Sequence, residues 1–257
     1  MDPSPWLVPL QGPWADLLPT QAEDWEFILA NVWYLFAGLV VTIMLTVTSL
    51  LLGFLAGFPA GAIEVYGRGP LRSAIRAAGV ALRGTPILVI LVIVFFVVPI
   101  PFPKSDVTIP TPWMPVTFNQ GAFAAATLGL GLRSAAYQSQ TFRGALQSVS
   151  EGQMEAARSI GLSKLEAIRF VITPQALRRS IPGFQNEFTI VLKDTSIAIV
   201  IGVADLFFRG NAIFIQQTTA TLELFLFISL IYFVLTFVTN RSLDYLGRYY
   251  AIPGGNS

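Results

Sequence analysis

The residues that could carry out chemistry in this chain are few. The 257 residues include no histidine and no cysteine. Disulfide bonds, thiolate nucleophiles, Ser-His-Asp catalysis and the usual zinc ligands are therefore excluded. A catalytic serine would need a lysine as its base, and Ser196 near Lys193 is the candidate pair. The composition argues against an enzyme.

Four charged side chains interrupt apolar stretches and are the other candidates. They are Arg133, Glu187, Lys193 and Asp194. Ionisable groups within a membrane are costly and commonly mark a substrate or ion pathway. Asn186 and Glu187 are therefore predicted to line a substrate cavity, where Glu187 could meet an ammonium group.

The roles of the other three charges stay open on the residues alone. Arg133 could meet a substrate carboxylate, pair with Glu187 or face a second copy of the chain. Lys193 and Asp194 could belong to the substrate pathway, but their adjacency favours a structural pair that ends a helix.

The elements that must position these residues are membrane spans. Hydrophobic residues make up 54% of the chain and charged residues 12%, whereas a soluble domain carries about a quarter charged residues. About 20 apolar residues cross a bilayer. We predict an all-α membrane protein with about five transmembrane helices, at 27–55, 80–100, 119–142, 181–203 and 218–240. These spans form a transmembrane domain at 27–245, between an extracytoplasmic tail (1–26) and a cytoplasmic tail (246–257).

The positive charges predict the orientation. Eleven Lys and Arg residues fall on one side of the five spans, whereas Lys104 and Arg209 fall on the other. Because cytoplasmic loops are enriched in positive charge, the N-terminus is expected outside and the C-terminus inside.

Two further patterns concern the packing and bending of the helices. Gly53, Gly57 and Gly61 either allow a close helix contact or reflect the usual glycine content of membrane helices. Pro182 is expected to kink the fourth span.

The charged loop at 148–174 is expected in the cytoplasm. Ser150 and Gln153 predict a capping box, and Gly161 predicts the end of that helix. Met154, Ala157 and Ile160 recur at helical spacing and form a narrow face with small residues. Ser163 predicts a second short helix. The physical pattern alone fits equally a plug that docks into a partner and a connector that rests on the membrane surface.

The loop resembles the EAA loop of ABC-importer permeases, the element that docks onto a separate ATPase. The resemblance rests on Glu155-Ala156-Ala157, Gly161 and the run 171–174. It extends over about residues 30–245 and is similar to the permeases for polar amino acids. Its further motifs include Arg83-Gly84-Thr85-Pro86, Ala135-Ala136-Tyr137, Phe142-Arg143-Gly144, Pro174-Gln175-Ala176-Leu177 and Leu192-Lys193-Asp194-Thr195-Ser196.

The resemblance implies a multi-pass permease of the cell membrane that translocates a polar amino acid. It implies two ATPase copies, a second permease copy or a homologous permease, and an extracytoplasmic amino-acid-binding protein. ATP and Mg would be held by the ATPase, because this chain has no GxxxxGK[ST] loop and needs no cofactor of its own. A net charge of +1 gives no indication of nucleic-acid binding. The docking residues would be Glu155, Ala156, Ala157, Arg158, Gly161 and Leu162.

Three positions depart from the family pattern. Gln140 stands where an acidic residue is usual, Arg133 where a small or amide side chain is common, and Thr173 where Leu precedes the proline. The main alternative is an autonomous secondary transporter or channel for a small polar solute. The absence of histidine and of a detectable inverted repeat argues against that alternative.

Overall fold

The fold is helical throughout its framework. The structure is a computed structural model that describes residues 22–112 and 114–249, so most of the two predicted tails lies outside the described residues. About 83% of the structure is helical. Its α-helices are α1 (Ala22–Ala30), α2 (Val32–Tyr66), α3 (Pro70–Gly84), α4 (Ile87–Val92), α5 (Gln120–Ser148), α6 (Glu151–Ser159), α7 (Lys164–Ala167), α8 (Thr173–Asp194), α9 (Leu206–Gln216) and α10 (Thr221–Tyr249).

Shorter helical segments continue these elements. A π-helical segment extends α4 at Ile93–Val97, and another joins α7 to α8 at Ile168–Ile172. A 3-10 segment at Thr195–Ile201 follows α8, and a second precedes α10 at Thr218–Ala220. The helix α8 runs without interruption through Pro182.

Two helices within the described residues are long and apolar enough to cross a membrane. They are Val32–Tyr66 and Thr218–Tyr245, with mean hydropathies of 2.4 and 2.3. The pair α3 and α4 would count as a third span, but it is bent by 111°. The predicted helix at 80–100 is therefore two helices. Thr85 is extended at the break because the residue before a proline is disfavoured in the helical region.

The helices α2 and α5 approach each other closely along the three spaced glycines. All three are buried in this contact. A Cβ at Gly57 would lie 2.7 Å from the Ala135 carbonyl oxygen, and one at Gly61 would lie 2.7 Å from that of Ser139. The close-contact interpretation of this pattern is therefore confirmed.

A β-hairpin interrupts the helical framework between α4 and α5. Strand β1 (Asp106–Ile109) pairs antiparallel with β2 (Val116–Asn119). Val116 and Phe118 are buried in the apolar core formed by α2, α4 and α5. The all-α prediction thus holds for the framework but missed this hairpin, because prolines crowd the segment and each strand is only four residues long.

Arg209 of α9 joins the hairpin to the helices. Its Nη2 donates to the Thr117 carbonyl oxygen at 2.9 Å and its Nε to that of Ala204 at 3.1 Å. The guanidinium carbon lies 4.6 Å from the centre of the Tyr34 ring of α2. Arg209 is only 5% exposed. Its charge is thus matched by carbonyl groups and a ring face inside the protein.

Candidate functional site

The loop at 148–174 folds into two short helices joined at a glycine. Gly161 has φ +93°, and the Leu162 amide donates to the Ala157 carbonyl oxygen at 3.2 Å. This left-handed residue ends α6 as predicted. The predicted capping box at its start is wrong. Ser150 accepts from the Gly152 amide at 3.3 Å, while the Gln153 side chain accepts from Gln175 of α8.

The second helix, α7, has a complete capping box. The Ser163 amide donates to Glu166 Oε2 at 2.8 Å, and the Glu166 amide donates to Ser163 Oγ at 3.3 Å. Hydrogen bonding from the Ser163 side chain and backbone lowers the pKa of Glu166, which is fully exposed. The cap explains why a four-residue helix can begin here.

Two of the three residues that define the narrow face of α6, Met154 and Ala157, point into the protein, whereas the third, Ile160, is exposed. Ala157 is 3% exposed, and Met154 packs against an apolar cluster formed by the end of α5 and the start of α8. Ala157 is therefore covered by its own chain in this structure, and its docking role stays a prediction. An amphipathic pattern marks a buried face without specifying which surface covers it. Of the other predicted docking residues, Glu155, Ala156, Arg158 and Gly161 are exposed and Leu162 is half-buried.

Two aliphatic residues beside Gly161 were not among the predicted docking residues, although Ile160 was placed on the narrow face of this helix. Ile160 is 79% exposed and Leu165 is 74% exposed. Neighbouring aliphatic side chains that are exposed at the tip of a polar loop can mark a surface that a partner protein covers. The signal was available in the sequence, since Leu165 lies in a charged segment. Together with the exposed predicted residues, these two define the coupling surface: Glu155, Ala156, Arg158, Ile160, Gly161, Leu162 and Leu165.

A second group of polar residues lies where α5 approaches the end of α8. Arg133 forms an ion pair with Asp194, and its guanidinium carbon lies 5.1 Å from the centre of the Tyr137 ring. The two charged side chains are 18% and 20% exposed. Asp194 therefore pairs with Arg133 and not with its neighbour Lys193, although α8 does end at Asp194 as expected. Of the alternatives left open for Arg133, the ion pair with Glu187 is not formed among the described residues. Lys193 points outward and is exposed.

Glu187 and Asn186 lie on different sides of α8. Asn186 is exposed, whereas Glu187 is 4% exposed. Ser134 is within hydrogen-bonding reach of the Glu187 carboxyl group, but Glu187 Oε1 has no partner among the described residues. A buried polar atom without a partner is destabilising. The two side chains thus do not face one common surface in this structure, and their part in a substrate pathway stays a prediction.

Ser134, the neighbour of Glu187, is bonded to Gln138, and sequence reasoning missed both residues. Gln138 Nε2 donates to Ser134 Oγ at 2.9 Å and to the Leu50 carbonyl oxygen at 3.2 Å. Ser134 and Gln138 are one helical turn apart, which in an apolar run was a detectable polar pattern. Glu187 therefore belongs to a polar contact among α2, α5 and α8.

Comparison with known proteins places these features in a family. The profile described as "Binding-protein-dependent transport system inner membrane component" matches residues 49–251. The chain belongs to this family. As the inner-membrane component, it is the permease subunit of an ABC importer and not an enzyme. The predicted resemblance is confirmed, and the family assignment disfavours the autonomous transporter.

Several relatives are similar over nearly their whole length. The probable amino-acid permease protein YxeN of Bacillus subtilis (strain 168) is 30% identical over 90% of this chain and 97% of its own. The glutamine transport system permease protein GlnP of Escherichia coli (strain K12) is 33% identical over 88% of this chain and 96% of its own.

Solved structures share the fold. A chain of an amino acid ABC transporter crystallised with histidines has a TM-score of 0.73 and 29% identity, over 86% of this chain and 96% of its own. A chain of the inward-facing MetNI methionine ABC transporter has a TM-score of 0.68 at 18% identity, over 87% of this chain and 99% of its own. The second likeness concerns the fold alone.

Proposed function

We propose that this permease is a multi-pass protein of the cell membrane that carries a polar amino acid into the cell. The named relatives that are amino-acid permeases support this substrate class. Five spans with the N-terminus outside remain our proposal for the topology, supported by the distribution of Lys and Arg. The helices α5 and α8 would also cross the membrane. Their hydropathy is lower because each carries polar residues, and these would face other helices or the pathway rather than lipid.

The polar face of α8 is the proposed substrate pathway. Asn186 and Lys193 are seven residues apart and therefore lie on one side of the helix. The partly exposed pair of Arg133 and Asp194 adds one charge of each sign. A zwitterionic amino acid could place its carboxylate toward Arg133 or Lys193 and its ammonium toward Asp194. Glu187 is buried behind this face and would influence the pathway through its neighbour Ser134.

The coupling surface is the proposed docking site for an ATPase. Ile160 and Leu165 project from the tip, and burying each side chain in a partner would contribute about 1.5–3 kcal/mol. Beside them, a cavity of about 620 Å³ opens between α2, α5 and the loop, bordered by Glu151, Glu155 and Lys164. The exposed Ile160 is the observation that carries this docking proposal.

The full complex would contain other chains. We infer two ATPase copies, a second copy of this chain or a homologous permease, and an extracytoplasmic amino-acid-binding protein. ATP and Mg would be bound by the ATPase, and lipid would surround the spans. The resemblance of the loop at Glu155-Ala156-Ala157 supports the ATPase partner.

The test is tagged purification from native membranes, with mass spectrometry of the proteins that accompany the chain. Ile160→Ser should lose most of the ATPase, because it removes an exposed apolar contact without disturbing the core. Leu71→Ser is the matched control, since Leu71 is 60% exposed on α3 outside the loop. Gly161→Asp is a poorer variant because φ +93° would strain a residue with a side chain.

Two results of this experiment would contradict the proposal. Equal recovery of the ATPase with Ile160→Ser and the wild type would refute docking through this tip. A well-folded wild-type chain that brings no ATPase would refute the proposed complex.

A further inference from the structure

A buried carboxylate lies near the end of α2 that adjoins the loop. The Glu64 side chain is 3% exposed. Gln140 Nε2 lies 3.1 Å from Glu64 Oε1 and 3.3 Å from Oε2, and Arg143 Nη1 lies 3.5 Å from Oε2. Arg143 Nη1 also lies 3.5 Å from Gln140 Oε1. These three residues, the Glu64 cluster, connect α2 to α5 through polar contacts. A buried charge is tolerable only with such partners.

The Glu64 cluster lies where the end of α2 meets the loop that contains α6. Ala62, Val65 and Tyr66 of α2 pack against the same apolar cluster that holds Met154 of α6. Apolar contacts of this kind are not directional. The bonds of Glu64 to Gln140 and Arg143 are directional. Together with the close backbone contact at Gly61, they define the rotation and height of α2 relative to the end of α5.

The end of α5 is also held from α8. Arg179 Nη1 donates to the Ser148 carbonyl oxygen and lies 3.1 Å from Ser148 Oγ. Ser148 is the last residue of α5, and α6 begins three residues later. Two arginines on different helices thus stabilise this junction, Arg143 toward α2 and Arg179 from α8.

We propose that Glu64 is a positioning residue for energy coupling, which makes α2 follow α6 and α7 when the ATPase moves them. The proposal rests on the proposed function as an ATP-driven permease. The helix α2 could carry this movement far, because its 35 residues reach Thr42, whose Oγ1 accepts from the Leu206 amide at the start of α9. In this role Glu64 touches neither substrate nor nucleotide.

The test exchanges the carboxylate of Glu64 with the side-chain amide of Gln140. The complex with its ATPase and binding protein is placed in proteoliposomes, and amino-acid uptake and ATP hydrolysis are both measured. Glu64→Gln should lower the uptake per ATP hydrolysed on the order of tenfold, because a bond to a charged group is lost. Adding Gln140→Glu to Glu64→Gln returns a carboxylate to the cluster and should restore most of the ratio.

Matched controls separate this role from a general effect of losing a buried acid. Glu223 of α10 is 2% exposed and forms no ion pair among the described residues, so Glu223→Gln should leave the uptake per ATP unchanged. If Glu64→Gln fails to accumulate, Arg143→Gln removes the opposite charge at a side chain that is 31% exposed, and it should lower the ratio similarly. An unchanged ratio in Glu64→Gln, or no recovery in the exchange, would overturn the proposal.

A second measurement needs no ATPase. The chain has no cysteine, so Arg68→Cys and Gln147→Cys would give two unique sites for spin labels. The distance distribution between these exposed positions should broaden in Glu64→Gln and narrow again in the exchange. An unbroadened distribution would refute the positioning role. Wild-type proteoliposomes without ATP-dependent uptake would instead refute the proposed function, while this distance measurement would still test the cluster.

Discussion

The contact between α2 and α5 should be sensitive to a side chain at Gly57. A Cβ there would meet the Ala135 carbonyl oxygen at 2.7 Å, Gln138 Cβ at 3.0 Å and the Ser139 backbone nitrogen at 3.2 Å. Two of these three atoms belong to the backbone and cannot rotate away. Gly57→Ala must therefore push the helices apart, although alanine is the better helix former.

The size of the effect follows from these distances. Moving the Cβ from 2.7 Å to 3.4 Å, where ordinary van der Waals contact begins, separates the helices by about 0.7 Å. Overpacking of this kind costs about 1–3 kcal/mol. The helical preference of alanine offsets up to about 1 kcal/mol. Gly144→Ala on α5 is the matched control, because Gly144 is exposed with no atom within 4 Å of the added Cβ.

The assay is reversible unfolding of the purified chain in mixed micelles, followed by far-ultraviolet circular dichroism as the fraction of denaturing detergent rises. Gly57→Ala should have a free energy of unfolding about 1–3 kcal/mol below that of Gly144→Ala, since both variants gain the same helical preference. Equal free energies of unfolding would show that the helices relax without cost. The argument for a glycine-dependent contact would then fail.

Three other perturbations test the remaining contacts. Arg209→Met should speed hydrogen exchange at residues 116–119, because the bond to the Thr117 carbonyl is worth about 1.5–3 kcal/mol; exchange like that of wild type would exclude Arg209 as the anchor. The lowered pKa of Glu166 means that its cap is fully stabilising above the ordinary carboxyl pKa and is lost as pH falls through the lowered value. The protection of the Ser163 amide should follow that loss in wild type but not in Glu166→Gln, and identical pH profiles would contradict the cap. Arg133→Gln with Asp194→Asn should raise the KM for uptake more than either change alone, whereas recovery to the wild-type KM would indicate a structural pair.

Local signals in the sequence predicted local structure well. Gly161 ends α6 and Ser163 begins α7 because each acts through residues three or four positions away. The glycines of α2 also predicted a close contact, since a small face has few other uses. Their partner on α5 required the structure.

Contacts between distant parts of the chain were not predictable from these patterns. Arg133 pairs with Asp194 rather than Glu187 because the fold decides which of two nearby acids faces the guanidinium. Ala157 faces inward because its own chain, and not a partner, covers that side of α6. Glu64 ends an apolar run, and nothing in the sequence indicated that Gln140 and Arg143 would donate hydrogen bonds to its carboxylate.

The inward-facing Ala157 separates two sets of constraints within a single short helix. One side of α6 is bound to the permease itself, so its residues can change little without altering the fold. The other side is free of such contacts and can vary with the protein it meets. A permease of this design could therefore be given a new ATPase by transplanting only the outward residues of the coupling surface, with the span-facing side left intact.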